Sequence, residues 1–145
     1  MKNIFILSLI CLSTQLSAQV DWDSVMEMKS AKNFLGTIYH NGNDMSICVD
    51  INGSSHQLLA GAIVKEANSI VDYILDNGNP DLSLICNDLT ILQYGIQYGD
   101  ADLVKKLLSA GADPNQKSES GKSALDLAQE LKKPIIIGYL KSLTK

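Results

Sequence analysis

The sequence predicts an all-α solenoid, with stacked helix-turn-helix units joined by β-turn or hairpin fingers. Three observations lead there: a self-similarity at a fixed offset, apolar residues at helical spacing within each unit, and capping and turn residues where one helix should give way to the next.

Comparing the chain with itself at an offset of 33 residues aligns five sets of positions, each keeping its size class. Leu59 aligns with Leu92 and Leu125, and Ala62 with Gly95 and Ala128. The same holds for Ile70, Leu103 and Ile136, for Val71, Val104 and Ile137, and for Ile74, Leu107 and Leu140. Within a unit, Ile70-Val71-Ile74-Leu75 and Leu103-Val104-Leu107-Leu108 put one apolar face on a helix. A two-helix unit cannot bury such a face alone, so neighbouring units must stack to remove it from water. The small residues Ala62, Gly95 and Ala128 let helix backbones approach along that seam.

The boundaries have their own chemistry. Thr90-x-x-Gln93 is a capping-box pattern, and Ser123-x-x-Asp126 is its looser counterpart one unit later. Gly78 and Gly111 each follow a helical leucine by three residues, the place for a left-handed C-terminal cap. Gly99 divides its unit into two short helices, and Pro134 opens the second helix of the last unit, where a missing N–H costs nothing. Asn41-Gly42 and Asn77-Gly78 are turn dipeptides.

Thr90-Ile91-Leu92 through Gly99, followed by Asp102-Leu103-Val104-Lys105-Lys106-Leu107-Leu108-Ser109-Ala110-Gly111-Ala112-Asp113-Pro114-Asn115, resembles an ankyrin repeat. The usual pattern of that family is T-P-L-H-x-A-A-x-x-G, then V-V-x-x-L-L and G-A-D-x-N. Gly121-Lys122-Ser123-Ala124-Leu125-Asp126-Leu127-Ala128 opens a similar unit, and Leu58 to Asp81 is a weaker earlier one. The expected units are 54–86, 87–119 and 120–145, the last acting as a C-terminal cap, with a degenerate N-terminal capping repeat and long finger over 19–53. Phe34-Leu35 and Ile38-Tyr39 echo Ile70-Val71 and Ile74-Leu75 at an offset of 36. The family's proline is replaced by Leu58, Ile91 and Ala124, and its turn-linking histidine by Ala60, Gln93 and Asp126. That substitution implies a weaker hydrogen-bond network between neighbouring turns. Gln129 and Lys141 stand where Ile96 and Leu108 stand one unit earlier, as suits the wet face of a terminal repeat.

Residues 1–18 read as a signal peptide: Lys2 gives the positive end, Ile4 to Leu12 the apolar stretch, and Leu16-Ser17-Ala18 the small-residue exit. Cleavage is expected after Ala18 or Gln19. Cys11 lies inside the apolar stretch behind the bulky Ile10, which argues against a lipid anchor. Export would bring Cys48 and Cys86 into an oxidising compartment, where a single intramolecular bridge is allowed. The repeat frame sets the two on adjacent fingers. A Cys48–Cys86 disulfide and two separate thiols are the alternatives, and the first requires α-carbons within about 7 Å.

Composition excludes several functions. The 145 residues are 46% hydrophobic and 19% charged, with 12 basic and 16 acidic side chains and a net charge of −4. Mean hydropathy is +0.05 and the pI is 5.0. Every basic residue is a lysine, so no guanidinium fork is available to grip phosphates, and the acidic balance repels polyanions. No nucleic-acid partner is expected, and no membrane insertion after signal cleavage. There is no Cys-x-x-Cys, only two histidines, His40 and His56, and no phosphate-cradling glycine loop, so no metal and no cofactor are expected. Cys48 and His56 lack a third residue to orient an imidazole, and Asp100 and Asp102 read as helix-start acids. Asp21 and Asp23 form no metal or acid–base constellation, and Asn52-Gly53-Ser54 is a glycan acceptor only on a eukaryotic secretory route. The chain reads as a non-enzyme.

By resemblance, the expected activity is binding another protein through a concave face. The outward positions are His56, Val64 and Lys65 in the first clear unit, Asn87, Leu89, Gln97 and Tyr98 in the second, and Glu119, Lys122, Glu130 and Leu131 in the third. Tyr98 is the favoured anchor, since tyrosine brings large contact area at low entropy cost. Two narrower readings stay open: a periplasmic immunity or inhibitor protein that neutralises a toxin, and a structural accessory factor that stabilises an envelope enzyme. Lysine, asparagine and isoleucine are abundant and arginine is absent, which leans the location towards a bacterial periplasm over the extracellular space.

Overall fold

The structure is a computed structural model that describes residues 48–51 and 54–143. The expected signal peptide, the Asp21/Asp23 pair, Asn41-Gly42 and most of the expected N-terminal capping repeat lie outside the described residues.

Among the described residues, three helix pairs follow a two-stranded hairpin. Strands β1 (Cys48–Ile51) and β2 (Ser54–Gln57) pair antiparallel, with Cys48 opposite Gln57 and Ile51 opposite Ser54. The helices are α1 (Leu58–Val64) and α2 (Asn68–Asn77), α3 (Ile91–Tyr98) and α4 (Ala101–Ser109), and α5 (Ala124–Glu130) and α6 (Pro134–Leu143). First helices begin at 58, 91 and 124 and second helices at 68, 101 and 134, so each series advances by the offset found in the sequence. The first helices stack α1 on α3 on α5, and each second helix packs on its own first helix.

The aligned apolar sets form the seam of this stack. Ile74 and Leu107 are fully buried and Leu140 is 2% exposed. Ala62, Gly95 and Ala128 are all buried. At Gly95 a β-carbon would lie 2.6 Å from Leu107 Cδ1, which shows how closely α3 and α4 approach there. Gly99 is required for a similar reason, because its β-carbon would stand 2.8 Å from the Gly95 carbonyl oxygen. Gln129 and Lys141 are exposed at the end of the stack.

Both capping boxes form. Thr90 Oγ1 accepts the Gln93 N–H at 3.3 Å and Gln93 Oε1 accepts the Thr90 N–H at 2.9 Å. Ser123 and Asp126 repeat the exchange at 3.1 and 2.9 Å. Asp100 is the N-cap of α4, and its carboxylate accepts the N–H groups of Asp102 and Leu103.

Two expectations need correction. Gly111 takes the left-handed conformation at φ +107, but Gly78 stays right-handed at φ −92 and the left-handed residue is the next one, Asn79. Asparagine tolerates that region, so α2 ends one residue later than a glycine rule suggests. At Gln93 a link between turns is also kept, although a weaker network was expected there. Gln93 Nε2 donates to the Lys122 carbonyl at 2.9 Å, and the buried Gln57 Nε2 donates to the Asp81 carbonyl at 2.5 Å. The glutamine amide spans the gap that the family's imidazole would have crossed, while its carbonyl oxygen still closes the capping box.

Candidate protein-interaction face

An aromatic row runs from the hairpin onto α3. Tyr94 and Tyr98 are four residues apart and therefore share a helix face. Their rings lie 6.1 Å apart and 21° from parallel. His56, on β2, meets Tyr94 edge-on at 5.6 Å, and its Nδ1 lies 2.9 Å from the Tyr94 hydroxyl. That hydroxyl donates to the Cys86 carbonyl at 3.2 Å. Both bonds hold together when His56 carries its proton on Nδ1 and donates to the phenol oxygen. Tyr94 is 2% exposed, and burial pushes its phenol above the ordinary 10.0. Tyr98, by contrast, is 43% exposed. The row thus has a buried, hydrogen-bonded base and an open aromatic end.

Covalent and polar links hold the fingers beside this row. Cys48 and Cys86 are joined as a disulfide, with α-carbons 5.9 Å apart. Cys48 therefore has no thiolate with which to form a dyad with His56. Asn87 and Asp88 follow in the left-handed region at φ +60 and +70, and Asp88 reaches across to the next finger. Its carboxylate accepts the Ser120 N–H at 2.6 Å and the Ser120 hydroxyl at 2.9 Å, while its carbonyl accepts the Glu119 N–H at 3.2 Å. The Ser120 N–H, and next its hydroxyl, hold the Asp88 carboxyl below the ordinary 3.8. Gln116 Nε2 donates to the Ser83 carbonyl between the same two fingers.

The expected binding residues fall into three groups. Tyr98, Gln97, Asn87 and Glu119 are exposed, and His56 and Lys65 are half-buried, with His56 fixed in the aromatic row. Lys122 and Glu130 are exposed but paired with each other at 2.7 Å, which raises the Lys122 pKa. Leu89 and Val64 are corrections, because both are half-buried and packed against the core, so neither stands out as a free contact. Leu131 is 40% exposed near the start of α6. Two residues were missed. Tyr94 was detectable as the i−4 neighbour of Tyr98. Asp88 was detectable as the counterpart of the left-handed Gly121, one repeat earlier.

Beside Tyr98 lies a cavity of about 330 Å3, lined by Ile63, Glu66, Asn68, Tyr98, Gly99, Asp100 and Leu103. No group of three potential metal ligands comes together among the described residues, and none of their helices is long and apolar enough to cross a membrane.

Helix pairs stacked at a constant step, with fingers bridging the end of one pair to the start of the next, define a helical repeat array. The family model for ankyrin repeats (many copies) matches residues 74–128, which run from the end of α2 into α5. Residues 74–128 thus carry ankyrin repeats, a class of repeat that points to protein interaction.

Proposed function

We propose that this chain is an exported adaptor that binds a second protein through the face formed by the finger tips and the open end of α3. The observation that carries the reading is the row His56–Tyr94–Tyr98, anchored at one end by hydrogen bonds and open at the other. An aromatic side chain held in place before contact loses little entropy on binding, which is where interface energy concentrates. Export is supported by the leader-like first 18 residues and by the Cys48–Cys86 bridge, since such bonds persist in oxidising compartments. The periplasm is the favoured location. The net charge of −4 favours a basic partner, in keeping with the inhibitor version of the reading.

The test is co-purification from the envelope fraction, identification of the partner, and measurement of its affinity and activity with and without this chain. Tyr98→Ala is expected to weaken binding by tenfold or more, and Lys65→Glu to alter it measurably. Unchanged affinity in both would overturn the assignment of this face. Loss of partner activity on binding identifies an inhibitor or immunity protein, and preserved or improved activity identifies an accessory factor.

A further inference from the structure

The junctions between successive units differ at the turns that link first and second helices. Between the second and third units, Lys133 Nζ donates to the Gly99 carbonyl at 3.1 Å, so an ammonium of the chain itself is seated against the turn before it. One repeat earlier, the residue equivalent to Lys133 is Asp100 and the residue equivalent to Gly99 is Glu66. A carboxylate therefore stands where the next junction has a lysine, and a second carboxylate stands on the turn it would have reached. This is the junction that holds the cavity of about 330 Å3 beside Tyr98.

The lining matches the two parts of a long basic side chain. Ile63 and Leu103 offer apolar wall to a methylene stem, and Tyr98 adds an aromatic ring to the lining, a partner suited to a cation. Glu66, Asp100 and Asn68 supply oxygen acceptors at the rim. The Asp100 oxygen that caps α4 at 2.8 Å from the Leu103 N–H leaves its other carboxylate oxygen for a further donor. The ion pairs among the described residues join Lys105 to Asp102, Lys106 to Asp72 and Lys122 to Glu130, and none of them uses Glu66 or Asp100. The volume lies at the low end of the range for ligand sites, enough for one side chain.

We infer that this cavity seats a lysine or arginine side chain of the partner protein, taking at the first junction the place that Lys133 takes at the second. The inference rests on the protein-binding reading above and specifies the chemistry of the contact. The experiment is an amide NMR titration of the full chain with the peptide acetyl-Gly-Lys-Gly-amide, with its norleucine analogue and with calcium chloride. The lysine peptide is expected to give saturable shifts at residues 66–68 and 98–103, and the other two probes none. Glu66→Gln combined with Asp100→Asn, which keeps an N-capping side chain, should weaken the response at least tenfold while the spectrum stays dispersed.

Four results would overturn the inference: no saturable shift, an equal response to norleucine, a response to calcium, or a response that survives the double variant. A failed peptide titration, together with partner binding that is still lost in His56→Ala, would reject the cation seat and leave the interaction face standing. Partner binding unaffected by both His56→Ala and Tyr98→Ala would reject the face itself.

Discussion

Replacing Gly95 tests the seam on which the stack depends. A β-carbon built there lies 2.6 Å from Leu107 Cδ1, about 1 Å closer than the optimal carbon–carbon separation of roughly 3.5–4.0 Å. Leu107 is fully buried, so it can yield only by displacing its own neighbours. In Gly95→Ala the clash is opposed by about 1 kcal/mol of helix propensity, and the two effects nearly cancel. Gly95→Leu adds three more carbons to the same gap and is expected to cost about 1–3 kcal/mol. For a folded unit of this size, that lowers the thermal midpoint by roughly 5–20 °C, read by circular dichroism. A double-mutant cycle sharpens the test. Leu107→Ala alone should cost about 2–5 kcal/mol, and in the Gly95→Ala background about 1 kcal/mol less, because the added methyl group fills part of the cavity. An unchanged midpoint for Gly95→Leu, or strictly additive costs in the cycle, would refute the close approach of α3 and α4.

Three further outcomes are expected. Opening the Cys48–Cys86 bridge, by reductant or by Cys86→Ser, removes a cross-link spanning 38 residues and should cost about 4 kcal/mol, read as a lower urea midpoint; equal midpoints would contradict it. Asp88 has a depressed folded pKa, so the unfolded chain binds the extra proton: its contribution is complete above 3.8 and is lost as pH falls through the lower folded value. Asp88→Asn should therefore flatten the acid limb of a midpoint-against-pH curve, and an unaltered slope below pH 3.8 would count against the finger link. Gln93→Leu leaves the Thr90 N–H and the Lys122 carbonyl without their side-chain partner and should cost about 2–4 kcal/mol in a denaturant melt, whereas Gln93→His should recover part of that by restoring a donor to Lys122.

The periodic features of the fold were legible because stacking writes them into the sequence repeatedly. Ile74, Leu107 and Leu140 must each fill the same seam, so every unit carries its own copy of that signal, and Thr90 and Ser123 repeat the capping signal in the last two units. What escaped was local choice among residues that do similar jobs. Asn79 takes the left-handed position in place of Gly78, and Glu66 and Lys132 adopt φ of +56 and +54 where Gly99, in the same place of the middle unit, stays extended at φ −108. Gln93 was legible as half of a capping box, but its second bond, to the Lys122 carbonyl 29 residues away, leaves no local pattern. For the candidate site, exposed positions followed from the repeat frame, but Tyr94 did not. Its part depends on His56 and on the Cys86 carbonyl, partners that meet at its hydroxyl only once the hairpin and the finger bridged to it have folded.

The disulfide has a mechanical consequence. Tension applied to the polypeptide ahead of Cys48 enters the array at Cys86, because the sulfur bridge is a shorter load path than the 38-residue covalent loop it closes. The hairpin, α1 and α2 lie within that loop and carry no pull along their backbone while the bridge is intact. A tethered chain would therefore transmit force to α3 and the units beyond it, and its first unit would feel strain only after reduction.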